Sequence, residues 1–331
     1  MATVLSLLES GQVVERSLLT GAAEALSGAR FERVVLGDGQ RLVLKHLPPD
    51  GDWLSRLTAG AGRVRLLCDS GTLDQVAATV DHTIVSVVAS GGGDVVVMRD
   101  VSEWLLPGAS TVSRQEISRV TAGLAQLHRA LQGHTLDGLC SAEARYQLFA
   151  PHVHRQDSGP HRHPARSAIL NGWHVFADTA PSDVAAAVFA VHERPERLVA
   201  KLMTCAPSTL VHGDAKLENL GLDGNRLVAI DWGELTGIGP AEIDVAWLAI
   251  MSGWRMDVLP GEIFAAYDRH AVRRLDPTAL DLACIGSLAQ MGFKLAGRCR
   301  APDEPTRHRA EMLLNWWIAR VRSALATWSP I

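Results

Sequence analysis

Residues 210–234, LVHGDAKLENLGLDGNRLVAIDWGE, constrain this chain more tightly than any other stretch. His212, Asp214, Lys216, Asn219 and Asp231 crowd together in a chain elsewhere rich in Ala, Leu and Val. Between them, Asp223-Gly224-Asn225 separates two β-prone runs, which predicts a tight hairpin from Leu220 to Ile230. Such a hairpin carries the chain out and back, so Asp231 returns beside Asn219. Asp214 is expected on a loop at the end of a short strand. The fold must hold these polar groups at one junction.

What flanks the junction differs on its two sides. FERVVLGDGQRLVLKHL (31–47) is two strand-like runs around Gly37-Asp38-Gly39, and TIVSVVAS and DVVVMRDV flank Gly91-Gly92-Gly93 as a second hairpin. The stretch DWLSRLTAGAGRVRLLCDSGTL between them is short and helix-like. After Pro107-Gly108 the period changes. Ile117, Val120, Leu124, Leu127 and Leu131 alternate steps of three and four, one face of a helix. Ser113 and Glu116 supply a capping box at its start, and Gly133 lies where a C-terminal cap belongs. Residues 134–170 read as irregular and His-rich, 181–205 as helix, and 241 onward as mostly helix, with Trp316, Trp317 and Trp328 on the last one. The expected class is α+β in two lobes: residues 1–99 as a small antiparallel-sheet lobe and 100–331 as a larger helical lobe.

Composition narrows the function. A formal charge of −4 argues against a nucleic-acid binder, which would show a basic face. No apolar run approaches the roughly 20 residues that span a bilayer. The start, MATVLSLLESGQVVERS, lacks a basic n-region and meets Glu9 early, unlike a signal peptide. The five cysteines are scattered and odd in number, which suits a reducing, cytoplasmic setting. Oligomeric state stays open.

Phosphoryl transfer explains the polar cluster best. It needs a carboxylate to orient the attacking hydroxyl, oxygen ligands to hold Mg²⁺ against the phosphates, and a lysine on the phosphates. Asp214 is placed for the first role. Asn219 and Asp231 bring hard oxygens to one place, as Mg²⁺ prefers. Lys45, mid-strand in LVLKHL with apolar neighbours, needs an anionic partner, and nucleotide phosphates would be one.

His212-Gly213-Asp214, Asn219 five residues after Asp214, and Asp231-Trp232-Gly233 resemble the kinase motifs H-R-D-x-x-x-x-N and D-F-G. In order and spacing the chain looks like a member of the aminoglycoside phosphotransferase family, with its protein-kinase-like fold. That resemblance implies Asp214 as catalytic base, Asn219 and Asp231 as Mg²⁺ ligands, and Lys45 on the phosphates of ATP, with GTP as the other candidate. It further implies Ser27 and Gly28 on a loop covering the phosphates, Met98 behind the adenine, and the Arg99 and Val101 backbones as hinge hydrogen bonds. Asp244 would support the catalytic loop. Lys216, two residues after the base, resembles the lysine of protein Ser/Thr kinases that steadies the γ-phosphate. No Glu stands where a helix-borne partner of Lys45 belongs, which leaves Asp52 or a different arrangement.

The implied activity is ATP- and Mg²⁺-dependent phosphorylation of a hydroxyl on a small molecule: a sugar, amino sugar, amino alcohol or hydroxylated antibiotic. A protein kinase-like enzyme and a nucleotide-binding pseudokinase are the alternatives. The short gap from Asp231 to Asp244 leaves no room for an activation loop, and the intact trio of Asp214, Asn219 and Asp231 speaks against a pseudokinase. His152, His154, His161 and His163 are read as a flexible His-rich loop rather than a metal site, and His128 as hydrogen-bonded inside the helical lobe. Arg255, Arg269, Arg273, Arg274, Arg298, Arg300, Arg307 and Arg309 interleave with the acids, and no acidic cluster awaits a polycationic antibiotic.

Overall fold

The computed structural model describes residues 13–19, 29–48, 53–91, 93–106, 108, 110–156, 165–326 and 328. Its first part is a five-stranded antiparallel sheet ordered β1-β2-β3-β6-β5. The strands are β1 (Val13–Leu18), β2 (Arg30–Leu36), β3 (Arg41–His46), β5 (Ile84–Ser90) and β6 (Gly93–Arg99). Both expected hairpins are present, β2–β3 turning at Gly37–Gly39 and β5–β6 at Gly91. Because strand side chains alternate, Val34, Leu36, Leu42, Leu44 and Val97 bury one face. Leu47, Val96 and Met98 bury the other, against Val64. The helix-like stretch between the hairpins is three short helices: α1 (Trp53–Leu57), α2 (Arg63–Asp69) and α3 (Thr72–Val76).

The remainder is mostly helix: α4 (Arg114–Ala130), α5 (Ala142–Gln147), α6 (Pro151–Gln156), α7 (Arg166–Thr179), α8 (Ser182–Glu193), α9 (Pro195–Cys205), α10 (Glu242–Ser252), α11 (Pro260–His270), α12 (Pro277–Arg298) and α13 (Glu304–Ala324). The capping box of α4 is closed, with Ser113 N donating to Glu116 Oε2 at 2.8 Å and Glu116 N to Ser113 Oγ at 3.3 Å. Its periodic residues Ile117, Val120, Leu124 and Leu127 are buried in the main core. Residues 134–156 and 165–170 hold more helix than the sequence reading gave them. Ser141 caps α5 by accepting from Ala144 N, and His152 and His154 lie on α6. His154 is fully buried, bonded to the Leu148 carbonyl at 3.0 Å. His161 and His163 lie outside the described residues. Trp328 falls beyond the end of α13, so the last helix carries Trp316 and Trp317 only.

At the centre of the helices is α12, started by Asp276 accepting from Ala279 N. By length and composition it could cross a membrane, contrary to the sequence reading, but 89% of its apolar window is buried inside the fold. Its apolarity is that of a core helix enclosed by other helices.

Between sheet and helices lie β7 (Ser208–Val211), β8 (Leu220–Asp223), β9 (Arg226–Ala229) and β10 (Gly237–Pro240). The pair β8–β9 is the expected hairpin, turned by Gly224 at φ +56°. A two-residue strand, β4 (Val80–Asp81), runs parallel to β9. The segment leaving the sheet is stitched to β8 through Leu106 N to Leu220 O at 3.0 Å and Leu222 N to Trp104 O at 2.9 Å. A Cβ at Gly221 would lie 2.5 Å from the Trp104 oxygen, so glycine permits this contact. The sheet's exit is thereby fixed against the hairpin that ends at Asp231.

Candidate active site

The catalytic-type loop leaves β7 at His212 and is held from beneath. Asp244, in the first turn of α10, is fully buried and accepts from His212 N at 2.7 Å and Gly213 N at 2.9 Å. His128 on α4 bonds the same carboxylate through Nε2 at 3.2 Å and Tyr267 through Nδ1 at 2.9 Å. With Asp244 accepting, Nε2 carries the proton and Nδ1 accepts from the Tyr267 hydroxyl. Burial alone would raise the Asp244 pKa, but His128, His212 and Arg145 hold it below the usual carboxylate range. Charge-assisted bonds of this kind contribute about 1.5–3 kcal/mol each, so the loop is rigid where it must aim the next residue.

That residue is Asp214, and both its carboxylate oxygens are held. Trp247 Nε1 donates to Oδ1 at 2.9 Å, while Asn219 Nδ2 and Lys216 Nζ donate to Oδ2 at 2.9 and 2.5 Å. His212 turns inward, packing on Trp232 at 4.4 Å between centroids with the rings tilted by 57°, and donating from Nε2 to the Ile230 carbonyl at 3.0 Å. Burial keeps its pKa below the ordinary value, so it is a neutral strut. Arg145 on α5 donates to the Gly213 carbonyl and lies 4.6 Å over the Trp247 ring.

The hairpin register pairs Leu220 with Ala229, and Ile230 N donates to Asn219 O at 2.9 Å. Asp231 thus emerges next to Asn219. Its φ is +66°, a left-handed conformation that Asp tolerates better than most residues. Lys45, buried on β3 opposite Phe31 and Val96, donates to Asp231 Oδ1 at 2.6 Å. Desolvation opposes ionisation of Asp231, yet Lys45 and Lys216 hold its pKa at about 2. For Lys216 burial pulls the other way, and Asp214 and Asp231 outweigh it, so the ammonium is held above the ordinary lysine range.

Several expected residues meet here: Lys45, Asp214, Lys216, Asn219 and Asp231 form one constellation bridging sheet and loop. The missing Glu partner of Lys45 also has a counterpart, since α2 presents apolar Val64 to this cleft and Asp231 pairs the lysine. Asp69 is exposed at the far end of α2. Asp52, Ser27 and Gly28 lie outside the described residues. Met98 lines the same small pocket as Lys45, Asp231 and Val96. At the hinge, Arg99 N is engaged by Thr83 O at 3.0 Å and Val101 O by Trp104 N at 2.9 Å. The Arg99 side chain is tied to Asp81. Sequence reasoning missed Trp247 and Arg145. Trp247 was findable, three residues after Asp244 and so on the same helix face. Arg145 carried no local signal.

The oxygens present suit Mg²⁺. The Asp231 side chain is 40% exposed with one oxygen held by Lys45. The Asn219 amide nitrogen is committed to Asp214, which leaves its carbonyl oxygen for a cation. Among the described residues no group of three or more His, Cys, Asp or Glu forms a metal cluster. A magnesium site completed by phosphate oxygens needs none.

Comparison with known proteins agrees with this geometry. Residues 22–278 match the model of the phosphotransferase enzyme family. No curated relative matches the sequence. An aminoglycoside phosphotransferase from Alicyclobacillus acidocaldarius superposes with a TM-score of 0.53 at 16% identity, covering 98% of this chain and 94% of that one. Choline kinase LicA from Streptococcus pneumoniae gives 0.53 at 14% identity, covering 98% of each. A spectinomycin phosphotransferase in complex with ADP and spectinomycin gives 0.54 at 12%, covering 94% and 93%. A family match over most of the chain, on a kinase-like α+β fold, makes this protein a member of the phosphotransferase enzyme family acting on small molecules.

Proposed function

We propose that the protein transfers the γ-phosphate of ATP to a hydroxyl of a small molecule, with Asp214 as the base. The observation that carries this reading is the fixed Asp214 carboxylate, held by Trp247, Asn219 and Lys216 beside the Lys45–Asp231 pair. In the step itself, the acceptor oxygen forms a bond to the γ-phosphorus as the bond to the β,γ-bridging oxygen breaks. ADP leaves and the hydroxyl proton passes to Asp214. Asn219 and Asp231 would hold Mg²⁺, which supplies charge neutralisation on the phosphates. Lys45 would exchange part of its contact with Asp231 for phosphate oxygens, and Lys216 would turn from Asp214 toward the γ-phosphate. The Met98 side chain, the Arg99 carbonyl and the Val101 amide offer a purine an apolar wall and a polar edge. Residues 232–236, between Asp231 and β10, are buried, which disfavours a protein substrate needing an activation segment there.

The test is ADP release stimulated by hydroxylated compounds, compared between the native enzyme and Asp231→Asn. The variant should keep its circular dichroism spectrum and lose nearly all turnover, because a charge has gone from a cation-filled site. Full turnover at saturating Mg²⁺ and ATP would remove Asp231 from the metal site.

A further inference from the structure

The acceptor side of Asp214 has an unusual charge. Gln290, Lys294 and Arg298 are spaced four apart on α12 and so share one face. That face begins under the catalytic loop. Gln290 Nε2 donates to the Arg145 carbonyl at 2.9 Å, and Arg145 in turn supports Gly213 and packs on Trp247, the partner of Asp214. One turn further is Lys294, half-buried. Among the described residues no carboxylate lies within ion-pair distance of it. Another turn on, the Arg298 guanidinium lies 4.5 Å over the ring of Trp254, which is 40% exposed. Glu218 of the loop is already engaged by Arg255 at 3.2 Å. Burial and the Arg298 charge push the Lys294 pKa down to about 8, despite the opposing pull of Glu218 and Asp214. A cation in this state lacks counter-charge. Fully buried Gln290 also keeps an unpartnered Oε1 beneath this face.

We propose that the acceptor is itself an anion, a hydroxylated small molecule whose carboxylate or phosphate is held by Lys294 and Arg298 while its hydroxyl meets Asp214. This rests on the phosphotransfer reading above and names its substrate class. An approaching ammonium would meet Lys294, Arg298 and Lys216 together, a like-charge arrangement that excludes polycations. A carboxylate or phosphate would supply the missing counter-charge and, through bidentate bonds to Arg298, fix the orientation of the hydroxyl.

Matched acceptors test it by ADP release: glycerol, glycerate, glycerol 3-phosphate and 3-amino-1,2-propanediol, with ribitol, ribonate and ribose 5-phosphate as a longer set. Anionic members should be turned over in preference to neutral and cationic ones. For the best of them, Lys294→Met should raise the acceptor KM about 10- to 100-fold, with kcat changed far less and the KM for ATP unmoved. Lys294→Arg should restore most of the loss, which a merely structural lysine would not require. The carboxylate and phosphate members separate the two sources of negative charge. Preference for neutral or cationic members, inert anionic members, or a Lys294→Met effect on the KM for ATP instead would each overturn the inference. Turnover of a neutral or cationic acceptor would leave the kinase reading standing. Failure of the native enzyme to bind Mg-ATP by calorimetry would end that reading, and the inference with it.

Discussion

At position 213 the backbone needs φ +83°, and a Cβ there would lie 1.7 Å from the Leu235 carbonyl oxygen. The protein-kinase motif has Arg at this place, and the close approach of residues 235–236 forbids any side chain here. Gly213→Ala should therefore displace the catalytic loop rather than merely strain it. Left-handed strain alone costs about 1–3 kcal/mol, and the backbone collision adds to it. A lowered urea midpoint with kcat down by at least about 100-fold is the expected result, and an unchanged midpoint and kcat would contradict this account of the loop. Neighbouring Asp214 shows what a single residue's sequence context could reveal. The proposed role as base rests on motif spacing, but the three donors that hold the carboxylate come from the loop itself and from α10. Only Lys216 and Asn219 were visible as neighbours in the chain, whereas Trp247 is brought in by a helix 33 positions away.

Among the elements, α12 is mostly buried and shares a pH-sensitive contact with α8. His192 on α8 bonds the Ala289 carbonyl of α12 through Nε2 at 2.6 Å and meets Trp173 of α7 edge-on at 4.7 Å. Its Nδ1 is buried without a partner, and burial lowers its pKa to about 4. Between about 6.5 and 4 the unfolded chain therefore binds a proton that the folded chain does not, so stability falls as pH is lowered through that window. The loss from this one residue approaches about 3 kcal/mol. Chemical denaturation of native protein and His192→Leu at pH 7, 5.5 and 4.5 checks it. The gap between the two should shift in favour of the variant as pH falls, and a constant gap would refute the assignment. Strong periodicity made α4 and the β8–β9 hairpin readable from sequence, because their own turn and cap residues specify them. The helix α5 was not, since its order comes from long-range partners such as Gln147 bonding His192 and Gln290 bonding Arg145. The apolarity of α12 has the same origin, as 89% of its apolar window is buried under elements distant in sequence.

For the molecule as a whole, the sheet supplies Lys45 from one side and the β8–β9 hairpin delivers Asp231 between, while the loop after β7 supplies Asp214 and α12 adds its basic face from the other. The Lys45–Asp231 bridge spans 186 positions and is the contact through which nucleotide binding would be felt by both parts. On the proposed reading, Asp214 serves the acceptor side, while Asn219 and Asp231 serve the nucleotide side. The most direct measurement is Asp214→Asn, assayed for calorimetric Mg-ATP binding and for acceptor-dependent ADP release on one preparation. In a loose transition state the base orients the hydroxyl and takes its proton late, so the variant should bind Mg-ATP with near-native affinity and lose turnover by about 10²–10⁴. A variant that no longer binds Mg-ATP, or one that binds it and turns over normally, would contradict the account.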